Sequence, residues 1–223
     1  MKPRSAVTRR TLVSSLGAGL GALTAALTAG ARQVSAQSAP TAPFTPMRHP
    51  QDDWLNTLAG KHRVIFDVTS AAGVSDVFRF VNNTYTGNKS GYGLDQQDLA
   101  VVVILRHSAT AFGYGDTLWS KHGKALAEGA RYSDAGSTEP PRVNPYNAAP
   151  RSAFDDLAKR GVRIGVCGTA SRGIAGRLAG SGDAEAMRKE MVADMIPSSR
   201  LVPAGVIAVA RAQEYGYSVV HVG

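Results

Sequence analysis

"DLAVVVILRH", Asp98–His107, places seven consecutive apolar residues between a charged start and a polar end. A strand with one wet face alternates polar and apolar positions. A run with no polar position needs both faces covered, as in a parallel sheet flanked by helices. Upstream, "HRVIFDV" (His62–Val68) is a β-branched run bounded by Gly60 and "TSAAG", and reads as a second strand. Between the two, "VSDVFRFVNNTY" sets Val77, Phe80, Val81 and Thr84 at helical spacing. Downstream, "RSAFDDLAKRG" reads as a helix from Ser152 to Gly161, and "VRIGV" (Val162–Val166) as the next strand. "DAEAMRKEMVADM" is a further helix, "RLVP" a short strand, "AGVIAVARAQEYG" a helix closed by Gly216, and "YSVVHV" a final strand. This alternation predicts an α/β fold: a mainly parallel sheet of about five strands with helices on both faces. One stretch breaks the rhythm. "ARYSDAGSTEPPRVNPYNAAP" (Ala130–Pro150) lacks periodicity and is rich in proline, which predicts a long surface loop between two helices, either a lid, an interface element or a mobile excursion.

The N-terminal three dozen residues read as a targeting segment. A basic start with Lys2 and Arg4 leads to the pair Arg9-Arg10, then to an uncharged run rich in Gly and Ala, then to small residues at Val34 and Ala36. The order resembles a twin-arginine export signal spanning 1–36, cut before Gln37, which places the mature protein in the periplasm and off the membrane. "QSAPTAPFTPMRHP" then reads as an extended linker over 37–52, and 53–223 as one α/β domain. Removing 1–36 takes five of the 25 basic side chains and no acidic one, so 20 basic residues face 17 acidic ones. The mature chain therefore has no dense basic stripe to neutralise phosphates, which argues against a nucleic-acid partner.

Ligands of open parallel sheets bind beyond the carboxyl ends of the strands. Two strand ends there carry chemistry. The strand in "DLAVVVILRH" ends at His107, and "RIGVCGTASRG" ends at Cys167, the only cysteine, followed by Gly168, Thr169, Ser171 and Arg172. If both strands run the same way, His107 and Cys167 share one rim. One cysteine forms no internal disulfide, so in an oxidising compartment it is a buried filler, an intermolecular partner or a thiol kept for chemistry. Spacings of the types HxH, HExxH and CxxC are absent, so no metal site is expected; G-x-G-x-x-G, GxxxxGK[ST] and GxSxG are absent too, and no cofactor is implied.

The segments "HRVIFDVTS", "LAVVVILRH", "LAKRGVRIGVCGT" and "RLVPAGVIAVARAQEYGYSVVHV", in this order, resemble the DsrE/DsrF-like sulfur-relay family, in particular its exported, single-cysteine branch. The resemblance spans roughly Lys61 to the C-terminus. It implies a parallel α/β sheet, assembly into trimers or hexamers, and a cysteine that accepts sulfur as a persulfide from a donor and passes it to an acceptor protein. Cys167 stands where single-cysteine members carry theirs, and His107 where a histidine is common after the second strand. In this reading His107 is a proton partner and Arg172 an electrostatic helper, with Gly168, Thr169 and Ser171 forming the turn around a partly accessible thiol. Where branch members often read Cys-Gly-Asn-Thr, this chain has Cys167-Gly168-Thr169-Ala170. Two other classes stay open: a binding module without chemistry that holds a small molecule or cofactor, and an inert assembly subunit.

Overall fold

A computed structural model describes residues 45–134, 136–147 and 153–223. The twin-arginine segment and the first part of the linker lie outside the described residues. Five parallel strands form one sheet in the order β4-β3-β2-β1-β5. They are β1 (His62–Val68), β2 (Leu99–Leu105), β3 (Arg163–Cys167), β4 (Ser199–Val202) and β5 (Ser218–Val222). The helices are α1 (Ala71–Tyr92), α2 (Asp116–Ala130), α3 (Ala153–Lys159), α4 (Gly168–Ala179), α5 (Ala184–Ala193) and α6 (Gly205–Glu214). The fold is therefore the α/β class expected, with every strand pair parallel.

The apolar run of β2 is buried along its whole length, because its alternate residues serve two cores. Val101, Val103 and Leu105 face a core shared with α1 to α5, including Val77, Trp119, Phe154, Ile174 and Met191. Ala100, Val102 and Ile104 face a smaller core built from α6 and from a 3-10 turn at Pro50–Leu55, with Trp54 and Leu55 as its main side chains. Helices cover both faces, but unequally: five on one and α6 alone on the other.

Local signals agree with these elements. Ser70 caps α1, its side chain accepting from the Gly73 N–H, and Gly93 ends the helix with φ of 68° in the left-handed region that glycine adopts readily. The buried stripe of α1 is Val74, Val77, Val81 and Tyr85, rotated slightly from the face read in the sequence, and Phe80 and Thr84 lie at its margin.

The described part of the 130–150 segment is stitched to the domain. Asn144 is fully buried, and its amide donates to the Phe112 and Tyr114 carbonyls at 2.9 and 2.7 Å. The Tyr146 hydroxyl donates to the Ala71 carbonyl at 2.8 Å, and its ring packs against Phe78, Phe112 and Phe154. Buried hydrogen bonds of this kind make the Asn144 region an anchored strap, a correction to the reading of a mobile excursion.

Candidate functional site

The connections leaving β3 and β4 diverge. β3 runs into α4, which packs on the larger core, while β4 turns into α6, which packs on the smaller one. Adjacent strands whose connections part in this way leave a crevice at their carboxyl ends, the usual ligand position in open α/β sheets. Cys167 stands at that point.

Its sulfur is held between two helix starts. Cys167 is the N-cap of α4, and Sγ accepts the Ala170 N–H at 3.5 Å. From the other side Sγ accepts the N–H of Gly205, the first residue of α6, at 3.2 Å. Helix N-termini carry partial positive charge, and both of these N–H groups point at the sulfur. This close fit requires glycines. A Cβ on Gly168 would come within 2.6 Å of the Val202 carbonyl oxygen, and one on Gly205 within 2.6 Å of the Arg106 Cβ. The same fit covers the thiol: Cys167 retains 7 % of its surface, a correction to the expectation of a partly accessible cysteine.

A hydrogen-bonded stack supports the turn from below. Ser171 Oγ donates to the Cys167 carbonyl at 2.7 Å and accepts from the buried Tyr114 hydroxyl. Burial, opposed by the hydrogen bond to Ser171 and reinforced by the nearby Cys167 charge, pushes the Tyr114 phenol up to about 12.

A cation whose charge reaches the thiol is Arg106, the residue after β2. Its Nε and Nη2 donate to the two Asp67 carboxylate oxygens at 2.5 and 2.7 Å, a bidentate pair. His221 Nδ1 lies 3.2 Å from Asp67 Oδ2, so the carboxylate joins the ends of β1, β2 and β5. Burial alone would raise the Asp67 pKa, but the hydrogen bonds from Arg106 and then His221 outweigh it and lower it. The Asp67 hydrogen bond chiefly, with the Asp67 and Cys167 charges adding to it, holds the Arg106 guanidinium more firmly protonated than usual.

The residues singled out in the sequence part company here. Cys167 caps α4, and Gly168 and Ser171 lie in its first turn. Thr169 Oγ1 donates to the Pro203 carbonyl at 3.3 Å, and Arg172 donates to Thr169 Oγ1 at 3.2 Å, leaving the Arg172 guanidinium in a cavity beside the turn with Trp54 and Arg200. His107, exposed and with φ of 51°, turns away and lines a separate recess with Leu126, Ile174 and Arg177. Arg106, one residue earlier, is the side chain of this pair that points inward, to Asp67, with its charge felt at Cys167. The signal for it was present: Asp67 is a lone carboxylate in an apolar strand, and a buried charge requires a partner. Gly205 and Tyr114 carried no sequence signal, since one contributes a backbone N–H and the other lies beyond a 3-10 turn.

Among the described residues no group of three or more His, Cys, Asp and Glu side chains is arranged to hold a metal ion, and no helix is long and apolar enough to cross a membrane. The chain matches no known protein family and no curated protein. Among solved structures it is similar to a protein of unknown function, MTH1491 from Methanobacterium thermoautotrophicum. The two are 15% identical with a TM-score of 0.41, and the alignment covers 72% of this chain and 99% of that one.

Proposed function

We propose that this chain is an exported, DsrE-like sulfur handler in which Cys167 is the sulfur acceptor. The observation that carries the reading is the seat of Sγ at the divergence of β3 and β4, where the N–H groups of Ala170 and Gly205 converge on it. The sequence resemblance, the α/β fold and the nearby Arg106 support it. The Cys167 thiolate attacks the outer sulfur of a donor persulfide; a new S–S bond forms at Cys167, the donor's S–S bond breaks, and the donor leaves as a thiolate. No net oxidation occurs, and the reverse exchange hands the sulfur to an acceptor thiolate. Because 7 % of Cys167 is exposed, the Gly205 side of the turn gives way as the donor enters.

In the same proposal the arginine pair Arg9-Arg10 directs export to the periplasm, and the domain assembles as a trimer or hexamer. Exposed Val206 and Ile207 at the start of α6, with Val219 and Val220 on the edge strand β5, give apolar surface for such an assembly. A second reading rests on the same sulfur. A thiol that is 93 % covered and accepts two backbone N–H groups serves equally as a structural cap joining α4 to α6, in a domain that binds a ligand without chemistry or only assembles.

Alkylation of the native protein, compared with the unfolded chain, separates the two. Sulfur handling predicts labelling in the folded state and a mass gain of one sulfur atom after exposure to a small persulfide, both lost in Cys167→Ser. Labelling only on unfolding assigns the cap role.

A further inference from the structure

We propose that a groove beside the Cys167 turn binds a small thiol or persulfide bearing two carboxylates. The thiol part of that description rests on the sulfur-handling reading; the recognition of carboxylates rests on the groove itself.

Two cavities of about 480 and 300 Å³ share Trp54 and Arg200. Each falls within the volume range of small-molecule sites. The first extends to Arg163 and Ser198, at the start of β3 and ahead of β4; the second extends to Gly168, Arg172 and Pro203, at the carboxyl ends of the same strands. Together they lie beside the Trp54 ring on the β3–β4 side of the sheet. Strand alternation puts Arg163, Gly165 and Cys167 on this face, and register sets Arg200 opposite Gly165 and Val202 opposite Cys167. Gly165 has no side chain there; Ile104 Cδ1, Val202 Cγ1 and the edge of the Trp54 ring close on the space, 2.6, 3.2 and 3.7 Å from where a Cβ would stand. The path from Arg163 to the thiol is therefore four residues of strand, about 13 Å.

The charge along this path has one sign. Arg200 lies over the Trp54 ring at 5.3 Å, which holds a cation above an apolar floor. Arg163, Arg172 and Arg200 make no ion pair among the described residues, and no Asp or Glu lines either cavity. Arg79, Arg188 and Arg211, by contrast, each pair with a carboxylate three residues away. Guanidinium groups favour planar, bidentate carboxylate partners. One carboxylate fits between Arg163 and Arg200. A second fits at Arg172 and Arg200, beside the first turn of the twelve-residue helix α4, whose dipole favours an anion. A ligand held at both points lies along the track with its remaining atoms beside the Cys167 turn.

The test uses the full chain carrying Cys167→Ser, which cannot exchange sulfur, and S-methylglutathione as probe, a molecule with two carboxylates and an unreactive sulfur. Calorimetry should find saturable binding that weakens about tenfold in Arg163→Ala, the loss of one charge-assisted contact, about a hundredfold in Arg200→Ala, which removes a contact from each carboxylate, and about a thousandfold in Arg163→Ala/Arg200→Ala. Arg79→Ala, outside the groove, should bind as the parent does, and the probe's diethyl ester should not bind. Equal binding of the diester, unchanged affinity in the double variant, binding of an extended acidic peptide but not the probe, or no binding at millimolar probe each overturns the proposal. Since Cys167→Ser reports only on the groove, a negative result leaves the alkylation test of the thiol standing, and a failed alkylation test leaves this one standing.

Discussion

Replacing Asp67 by Asn should cost the fold about 3 kcal/mol at neutral pH. The Asp67 and Arg106 side chains are 8% and 18% exposed, and the carboxylate accepts two guanidinium N–H bonds at once. An asparagine offers one oxygen where two are used, and it leaves Arg106 charged and half-paired in a covered position. Removing one partner from a buried pair costs about 3–5 kcal/mol, and the partial exposure of Arg106 sets the lower end. For a domain of this size that is a fall of about 6–12 °C in Tm. The pH dependence carries the sharper test. The Asp67 pKa lies below its ordinary 3.8, since the bonds from Arg106 and His221 overcome burial. A lowered folded-state pKa adds stability that is fully present above the unfolded value and is lost as pH falls below it. Urea unfolding of wild type and Asp67→Asn should thus differ most near neutrality and converge below about pH 4. A Tm difference under about 2 °C at neutral pH, or a stability gap that stays constant into acid, would refute the assignment of a stabilising buried pair.

Asn144→Ala should destabilise by about 3 kcal/mol, because it strands the buried Phe112 and Tyr114 carbonyls and releases the strap; limited proteolysis near residues 130–150 should accelerate in parallel. Gly205→Ala forces a Cβ toward Arg106 and displaces the N–H that covers Sγ, so it should lower Tm by a few degrees, reflecting about 1–3 kcal/mol, while speeding alkylation of Cys167. In alkali, Tyr114 and Tyr146, both pushed up to about 12 chiefly by burial, keep their protons in the fold. Raised pKa values give stability that is present below the ordinary 10 and lost as pH rises toward 12, so the phenolate absorbance that wild type shows beyond Tyr114→Phe/Tyr146→Phe should appear together with unfolding, and its appearance in the folded protein at about pH 10 would exclude their burial.

The strands were legible because burial on two faces writes itself as unbroken apolar runs, and β2 is the clearest of them. Helix α4 was not. Its sequence, "GTASRGIAGRLA", carries three glycines and few large apolar residues, so it reads as a loop. Tertiary packing overrides that propensity: Ile174 and Ala175 dock on the larger core, and Gly168 permits the close approach of the β4 turn. The rim of the sheet was legible as a place but not as a set of contacts. Arg106 and His107 are neighbours with similar claims to a role. Only the left-handed φ at His107 and the position of Asp67, 39 residues before Arg106, decide which turns inward. The strap at Asn144 was hidden because its polar, proline-rich composition reads as solvent-exposed, whereas its fixing bonds run to backbone carbonyls that leave no mark in sequence.

The placement of β5 bears on how the domain assembles. β1 pairs on one side with β2, its successor in sequence, and on the other with β5; the Asp67–His221 contact joins residues 154 apart. Four strands extend the sheet in one direction as neighbours, and the fifth returns across the whole domain to the opposite edge. Contacts of such separation form late and slow folding, although the extra closure entropy grows only logarithmically with distance. β5 also buries little, with four of its five side chains exposed. It is therefore the last strand to dock and the first to open, and its amides should exchange with solvent well before those of β2 and β3.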